Sequence, residues 1–443
     1  MQRRTFLGLT AAATTAGLFA ADRLAAQGID PVPGRSDQGA LVVTAVEPIV
    51  IRTPKDDIAH EAVIEMPPIG ATTPGVGTWR RLDIASPSRY RGYEQATVVK
   101  ITTAGGLVGW GECHAPTAPR MHKRIIEDLL GPIVVGHDAR DIEALWARMY
   151  ASERVRGYQT GAHLEAIAGI DLALWDLLGK WAGVPVYQLL GGKFRDRIPT
   201  YATFSSTYTG RGDSTPVVER ARRMVEAGFP VVKTALRAGP DSAVFRTIAE
   251  VAAAIAPNAS LAVDSLGAFS FTEAQRVGRE LDAMGNIAWF EDPLVPEQTD
   301  RYAALGRSFD TPLCAGEALS NRYQFRDLVA GRGVALVNPD VCRAGGLTEC
   351  RRIAVLADVH GVLLAPHVST GSGPYLAASS HLGVASPNCA MMEVYDGTKH
   401  LGPFGNVLLD TALDLGPGYA AVPERPGLGA DFNEHRLEDV RVS

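Results

Sequence analysis

Apolar and polar positions follow three successive rhythms along the chain. Residues 40–51 (ALVVTAVEPIVI) form a short β-branched-rich run and predict a strand. Residues 95–103 (QATVVKITT) and 107–112 (LVGWGE) flank Ala104-Gly105-Gly106, which predicts a hairpin. Helical patterns follow. The clearest spans 160–182, where Leu164, Ile167, Ile170, Leu174, Leu177 and Leu178 recur at helical spacing until Gly183 and Pro185 stop it.

From Ile198 short apolar runs alternate with amphipathic stretches of about 10–15 residues, the pattern of βα units around a parallel sheet. Eight runs are visible: 198–204 (IPTYATF), 230–236 (PVVKTAL), 260–264 (SLAVD), 287–291 (IAWFE), 312–317 (PLCAGE), 335–340 (ALVNPD), 362–367 (VLLAPH) and 390–394 (AMMEV). Eight parallel strands with helices between them predict an α/β protein whose sheet closes into a barrel. An open doubly wound sheet is the alternative, but the first run is followed by no Gly-rich phosphate turn.

Length and composition narrow the class. At about 150 residues per domain, 443 residues suggest two or three domains. With 46% hydrophobic and 21% charged residues the chain is neither disordered nor fibrous. A net charge of −6 and the lack of a long basic run speak against a nucleic-acid partner. No stretch of 18 or more unbroken apolar residues predicts an internal membrane span. Cys113, Cys314, Cys342, Cys350 and Cys389 are odd in number and lack metal-type spacing, so buried free thiols are expected.

Two segments stand apart. Met1-Gln2-Arg3-Arg4-Thr5-Phe6-Leu7-Gly8 and the weakly apolar run to Ala20 resemble a twin-arginine export signal. Cleavage is expected near Leu24-Ala25-Ala26, which makes 1–26 a signal peptide and the protein periplasmic, or cytoplasmic if the signal is not used. Residues 54–94, rich in Pro, Gly and charge, read either as a substrate lid carrying His60, Arg80, Arg81, Tyr90 and Arg91 or as a solvated insertion.

The chemistry sits at the ends of the predicted barrel strands. The third to eighth runs end at or near Asp264, Glu291, Glu317, Asp340, His367 and Glu393, the edge where such a barrel keeps its active site. One terminal carboxylate can simply cap the next helix; six polar ends in succession are poorly explained that way. Asp264, Glu291 and Glu317 stand one βα unit apart and should meet in space. Three converging carboxylates repel unless protons or a cation compensate, and oxygen-only ligands favour a hard ion such as Mg²⁺. Asp340 and His367 lie 27 residues apart on neighbouring strands, where the Asp would fix the tautomer of a general base. Metal and base together suit removal of the proton α to a carboxylate.

Asp264, Glu291 in WFEDP, Glu317 in AGE, Asp340 in NPD-x-x-x-AGG and His367 in APH strongly resemble the enolase superfamily, in its mandelate racemase/muconate lactonising enzyme branch. The similarity runs over about residues 40–430, including AIAGIDLALWDLLGKWAGVPVYQLLGG and the late PGLG at 426–429. It implies a modified TIM barrel, (β/α)₇β, over 198–394, with an α+β capping domain built from 40–190 and completed by 395–443. It also implies Asp264, Glu291 and Glu317 as Mg²⁺ ligands, His367–Asp340 as the base pair, and Glu393 as a hydrogen-bond partner of the substrate carboxylate. Residues 54–94 correspond to a mobile loop that closes over substrate. Homo-oligomers, as dimers or octamers, are implied as well.

Two departures direct the choice of reaction. Mandelate racemase-like members carry Lys-x-Lys on the second strand, with the second lysine as a base on the opposite face; here the residues are Lys233-Thr234-Ala235. Where many relatives have Asp-x-Asn, this chain has Asp264-Ser265-Leu266. One base on one face suits β-elimination of water from a sugar acid to give a 2-keto-3-deoxy acid. An epimerase or cycloisomerase is the alternative enzyme and needs Lys233, or a tyrosine or lysine from the cap, on the second face. An exported sugar-acid-binding protein without turnover is the reading from another class. Lys233 itself reads as local charge or a substrate contact. Arg211-Gly212-Asp213 reads as a loop, His381 as structural, and Trp175 and Trp181 as core or cap packing.

Overall fold

The computed structural model describes residues 40–52, 95–116, 118–204, 214–237, 239–369, 371–395, 406–416 and 418–442. The signal 1–26, the lid residues His60, Arg80, Arg81, Tyr90 and Arg91, and Arg211-Gly212-Asp213 lie outside them.

The first sheet is antiparallel, in the order β1 (Val43–Arg52), β2 (Gln95–Thr103), β3 (Val108–Cys113). Helix α1 (Pro119–Ile125) and helix α2 (Ile142–Ser152) precede the long helix α3 (Ala162–Ala182), which ends at Gly183 in the left-handed region. Helix α3 is apolar nearly all round because both of its faces are covered. On one side β3 lies against it at backbone contact. A Cβ on Gly111 would fall 2.1 Å from the Gly169 carbonyl oxygen, and one on Gly169 would fall 2.6 Å from Cys113 Sγ. On the other side α3 meets the barrel, where the indole N–H of Trp175 donates to Thr348 Oγ1 at 2.9 Å.

The second sheet is parallel and curled. Its strands are β4 (Arg197–Thr203), β5 (Val231–Ala235), β6 (Ser260–Asp264), β7 (Ile287–Glu291), β8 (Leu313–Ala315), β9 (Leu336–Val337), β10 (Leu363–Leu364) and β11 (Met392–Tyr395). They pair in sequence order from β4 to β10, and β11 pairs with β4. The gap between β10 and the approach to β11 is bridged by Leu364 N–H to Asn388 O and Ala390 N–H to Leu364 O, at 2.9 and 2.8 Å. Between the strands run α4 (Thr215–Glu226), α5 (Ala243–Ile255), α6 (Phe271–Asp282), the short α7 (Tyr302–Leu305), α8 (Arg322–Ala330), α9 (Gly346–Val359) and α10 (Gly373–Val384). All eight predicted runs contain strands. Those at 312–317, 335–340 and 362–367 are shorter than expected, because their polar ends leave the ladder to enter the site.

Inside the curl, Tyr201, Val231, Ala262, Trp289, Cys314, Leu336 and Ala365 form one packed layer. Side chains along a strand alternate between faces. The residues two positions further on therefore also point inward, one layer higher: Thr203, Lys233, Asp264, Glu291, Asn338 and His367. A hydrophobic floor thus carries a polar storey at the C-terminal ends of the strands.

After β11 the chain returns. Strand β12 (Tyr419–Ala421) pairs antiparallel with the start of β4, Gly427 bridges to Pro185, and the residues after α11 (Glu434–Val440) reach β1, where Val442 N–H donates to Val50 O at 2.9 Å. The five cysteines are buried and free, and no helix among the described residues is long and apolar enough to cross a membrane. His381 is structural: Tyr187 N–H donates to its Nδ1 at 3.2 Å. One expectation is corrected. Trp175 is packed as expected, but Trp181 lies at the surface, with the Arg140 guanidinium 5.3 Å from its ring centroid.

Candidate active site

Asp264, Glu291 and Glu317 converge above the apolar layer. Each offers an oxygen within 4.8 Å of the others, and all three are buried. Asp264 and Glu291 arrive by the period-two logic of their strands. Glu317 is three residues beyond Cys314, and Gly316, at φ +133, makes the turn that brings it inward; this is a backbone region that L-residues rarely adopt. Burial and the neighbouring Glu291 charge push Asp264 well above the ordinary carboxylate range. Burial also raises Glu291, against the pull of Lys233. A trio of buried, oxygen-only donors in this state fits a hard divalent cation.

Glu291 is the best-held member. Trp289 Nε1 donates to its Oε2 at 2.7 Å, and Asn338 Nδ2 to its Oε1 at 2.9 Å. Lys233 Nζ stands 2.6 Å from Glu291 Oε1, 2.9 Å from Glu393 Oε1 and 3.9 Å from Asp264 Oδ2. Burial opposes its charge, but Glu291 and Glu393 outweigh it and hold the amine well above the ordinary lysine range. Lys233 thus stands inside the cluster as a counter-cation to its carboxylates. Ala235, its neighbour on the same face, pairs in register with Asp264.

On the other side of the site His367 Nδ1 meets Asp340 Oδ2 at 2.8 Å. His367 Nε2 lies 3.2 Å from Glu317 Oε2 and 3.8 Å from Glu393 Oε2. Burial works against an imidazolium there, but Glu317, Glu393 and Asp340 outweigh it and push His367 up to about 9. Burial likewise opposes the charge on Asp340, yet His114, His367 and Arg343 hold it below the usual range. Glu393 accepts from Val368 N–H at 3.1 Å and from Thr203 Oγ1. Lys233 and His367 overcome its burial and keep it ionised.

The structure thus brings Asp264, Glu291, Glu317, Asp340, His367, Glu393 and Lys233 into one cluster. Sequence reasoning missed several neighbours. Asn338 and Trp289 had a readable signal, because each stands two residues before a polar strand end. His114 and Tyr375 had none. His114 comes from the residue after β3 and places Nδ1 3.8 Å from Asp340 Oδ2, and burial and Arg343 push its imidazole down to about 3. Tyr375, in the first turn of α10, donates its hydroxyl to Asp340 Oδ2.

Comparison with known proteins identifies the family. Residues 81–191 match the family model described as the mandelate racemase/muconate lactonizing enzyme N-terminal domain, and residues 216–436 match the one described as enolase C-terminal domain-like. The chain is 35% identical to D-galactarolactone cycloisomerase of Agrobacterium fabrum, over 78% of its own length and 91% of the relative's. It is also 35% identical to D-galactonate dehydratase of Verminephrobacter eiseniae, over 80% and 93%. Among solved structures, the 3,6-anhydro-D-galactonate cycloisomerase of Zobellia galactanivorans superposes with a TM-score of 0.74 at 30% identity, covering 91% of this chain and 100% of that one.

Proposed function

The chain belongs to the mandelate racemase/muconate lactonizing enzyme family of the enolase superfamily, and on that footing we propose that it is a Mg²⁺-dependent dehydratase of a sugar acid. The observation that carries this reading is the one-sided base. His367, braced by Asp340, faces the cluster from one side. On β5, Ala235 occupies the place of a second base, and Lys233 is locked as a cation between Glu291 and Glu393.

Asp264, Glu291 and Glu317 would hold the ion. When bound, Mg²⁺ polarises the substrate carboxylate and stabilises the negative charge that grows as the α-proton leaves. His367 Nε2 takes that proton, and Asp340 keeps Nδ1–H oriented behind it and stabilises the imidazolium. The imidazolium then returns its proton to the departing 3-hydroxyl, leaving an enol that becomes a 2-keto-3-deoxy acid. Lys233 supplies fixed positive charge under the developing anion. Glu393 is an ionised acceptor in this arrangement, so a hydrogen bond from it to the substrate carboxylate requires it first to take up a proton.

A second reading is favoured by the two relatives named as cycloisomerases. The same proton abstraction with a ring oxygen as leaving group opens the ring without loss of water, the proton passing to that oxygen. The mass of the product separates the two. Protein from Gln27 onward, with Mg²⁺, would be incubated in D₂O with aldonic, aldaric and uronic acids and their lactones. A keto product one water lighter, abolished by chelator and by His367→Asn, is expected. A keto product of the substrate's own mass, apart from the solvent deuteron taken up at C3, assigns the cycloisomerase, deuterium at C2 of recovered substrate without a keto product assigns an epimerase, and binding without turnover assigns a binding protein.

Export through the Arg3-Arg4 signal, a homo-oligomeric state and substrate selection by residues 54–94 belong to the same proposal. Recovery of all active protein from the cytoplasmic fraction with its N-terminus intact would overturn the export.

A further inference from the structure

Asp340 is held by more than its histidine. Its Oδ1 accepts the backbone N–H groups of Cys342 and Arg343 at 2.8 and 3.1 Å. Its Oδ2 accepts both His367 Nδ1–H and the Tyr375 hydroxyl. That hydroxyl in turn accepts Ser369 N–H at 3.1 Å and lies 3.5 Å from His367 Nδ1. Tyr375 is fully buried, and its ring leaves no slack: a Cβ on Gly371 would fall 2.3 Å from it. The helix that carries Tyr375 is itself gripped from the first sheet. Glu112 of β3 accepts the Ser372 N–H at 3.0 Å on both oxygens, and the Ser372 hydroxyl as well, at the N-terminus of α10. Glu112 thus holds the helix start that carries Tyr375, and from Tyr375 hydrogen bonds run to Asp340 and on to His367. The elimination described above uses only Asp340 and His367.

We propose that Tyr375 is a positioning residue for His367, setting the imidazole through Asp340, and that Glu112 sets Tyr375 from the first sheet. The inference rests on the reading of His367 as the base. A phenylalanine fills the same ring space, so Tyr375→Phe removes the hydroxyl's bonds to Asp340 and Ser369 while keeping the packing. Without that hydroxyl Oδ2 keeps only His367 as a donor while the two backbone N–H groups still hold Oδ1, so the carboxylate can shift at its Oδ2 end and carry the imidazole with it. Small misplacements of a base are costly to the chemical step while leaving binding almost untouched.

The test has one arm that needs no turnover. In the full chain, the low-field proton of His367 Nδ1–H is assigned by its loss in His367→Asn and then followed in Tyr375→Phe. Loss of the competing donor should strengthen the remaining bond and move the resonance downfield. In the second arm, Tyr375→Phe should lower kcat roughly 10- to 100-fold, with KM and calorimetric Mg²⁺ affinity within about threefold of wild type. Glu112→Ala should act in the same direction, and Glu112→Gln, which still offers an acceptor to Ser372, should recover part of the rate. An unmoved resonance with kcat within about threefold of wild type would overturn the inference, as would a loss of kcat matched by loss of Mg²⁺ affinity and of folding. If the wild-type protein eliminates no water from any acid, the functional reading fails and the resonance arm still decides the role of Tyr375.

Discussion

His367 and Asp340 are joined twice, by the 2.8 Å contact of Nδ1 with Oδ2 and by a parallel β-bridge between their backbones. The base is therefore fixed in position by the sheet and in orientation by the carboxylate.

Its protonation should follow the metal. Without a cation, Glu317 and Glu393 keep His367 charged up to about pH 9. A divalent ion on Glu317 cancels part of that negative field, so the histidine should titrate at lower pH once Mg²⁺ binds. Only the neutral imidazole abstracts a proton, so kcat/KM should rise with pH through this ionisation. Histidine NMR titrations with and without Mg²⁺ check it, and a titration indifferent to the ion would count against a metal beside Glu317.

Lys233→Met should destabilise the metal-free protein by about 3–5 kcal/mol, because it strands Glu291 and Glu393 as buried charges. Saturating Mg²⁺ should recover part of the loss by neutralising Glu291. Chelation should likewise lower the Tm of the wild type. Urea titrations with and without the ion read both effects, and a Lys233→Met protein as stable as wild type would be fatal to the counter-cation role.

Glu112 gives a pH signature of its own. Burial pushes its carboxyl from 4.5 up to about 7, so the folded state binds the proton more tightly than the unfolded chain. Its effect is absent at low pH, where both states are protonated. The cost grows as pH rises from the unfolded value and levels off above the folded one, at about 3 kcal/mol. Unfolding free energies at pH 5 and pH 8 should therefore differ less in Glu112→Gln than in wild type.

Gly111→Ala should cost at least about 1–3 kcal/mol, since the new methyl meets the Gly169 carbonyl oxygen at 2.1 Å. Because this contact seats β3 on α3, chemical denaturation of the variant should show the first sheet losing stability; a change under about 0.5 kcal/mol would mean that the two elements can simply move apart.

The polar storey of the barrel was legible because strands have a period of two and each βα unit returns the chain to the same edge. Asp264, Glu291 and His367 follow from that rule alone. Glu317 does not, since it depends on the backbone turn at Gly316. The inward direction of Lys233 follows from Val231 on the floor below it, yet nothing in Lys233-Thr234-Ala235 says that its partners are Glu291 and Glu393 and not a substrate. Glu112 and Tyr375 were beyond reach for another reason. The bond from Glu112 to Ser372 spans 260 residues, and no local pattern encodes a contact between one unit's strand and another unit's helix start.

The outer edge of β1 is covered at its start by residues 136–138, where Val43 N–H reaches His137 O, and at its far end by Val442, whose N–H reaches Val50, and by Arg441, which bridges Ile51. The entire barrel lies, in sequence, between β1 and the segment that covers its far end. β1 is made long before residues 441–442, so its far end stays an open strand edge, exposed to wrong partners, until they follow. Removal of the residues from 434 onward would expose that far end again in the finished molecule.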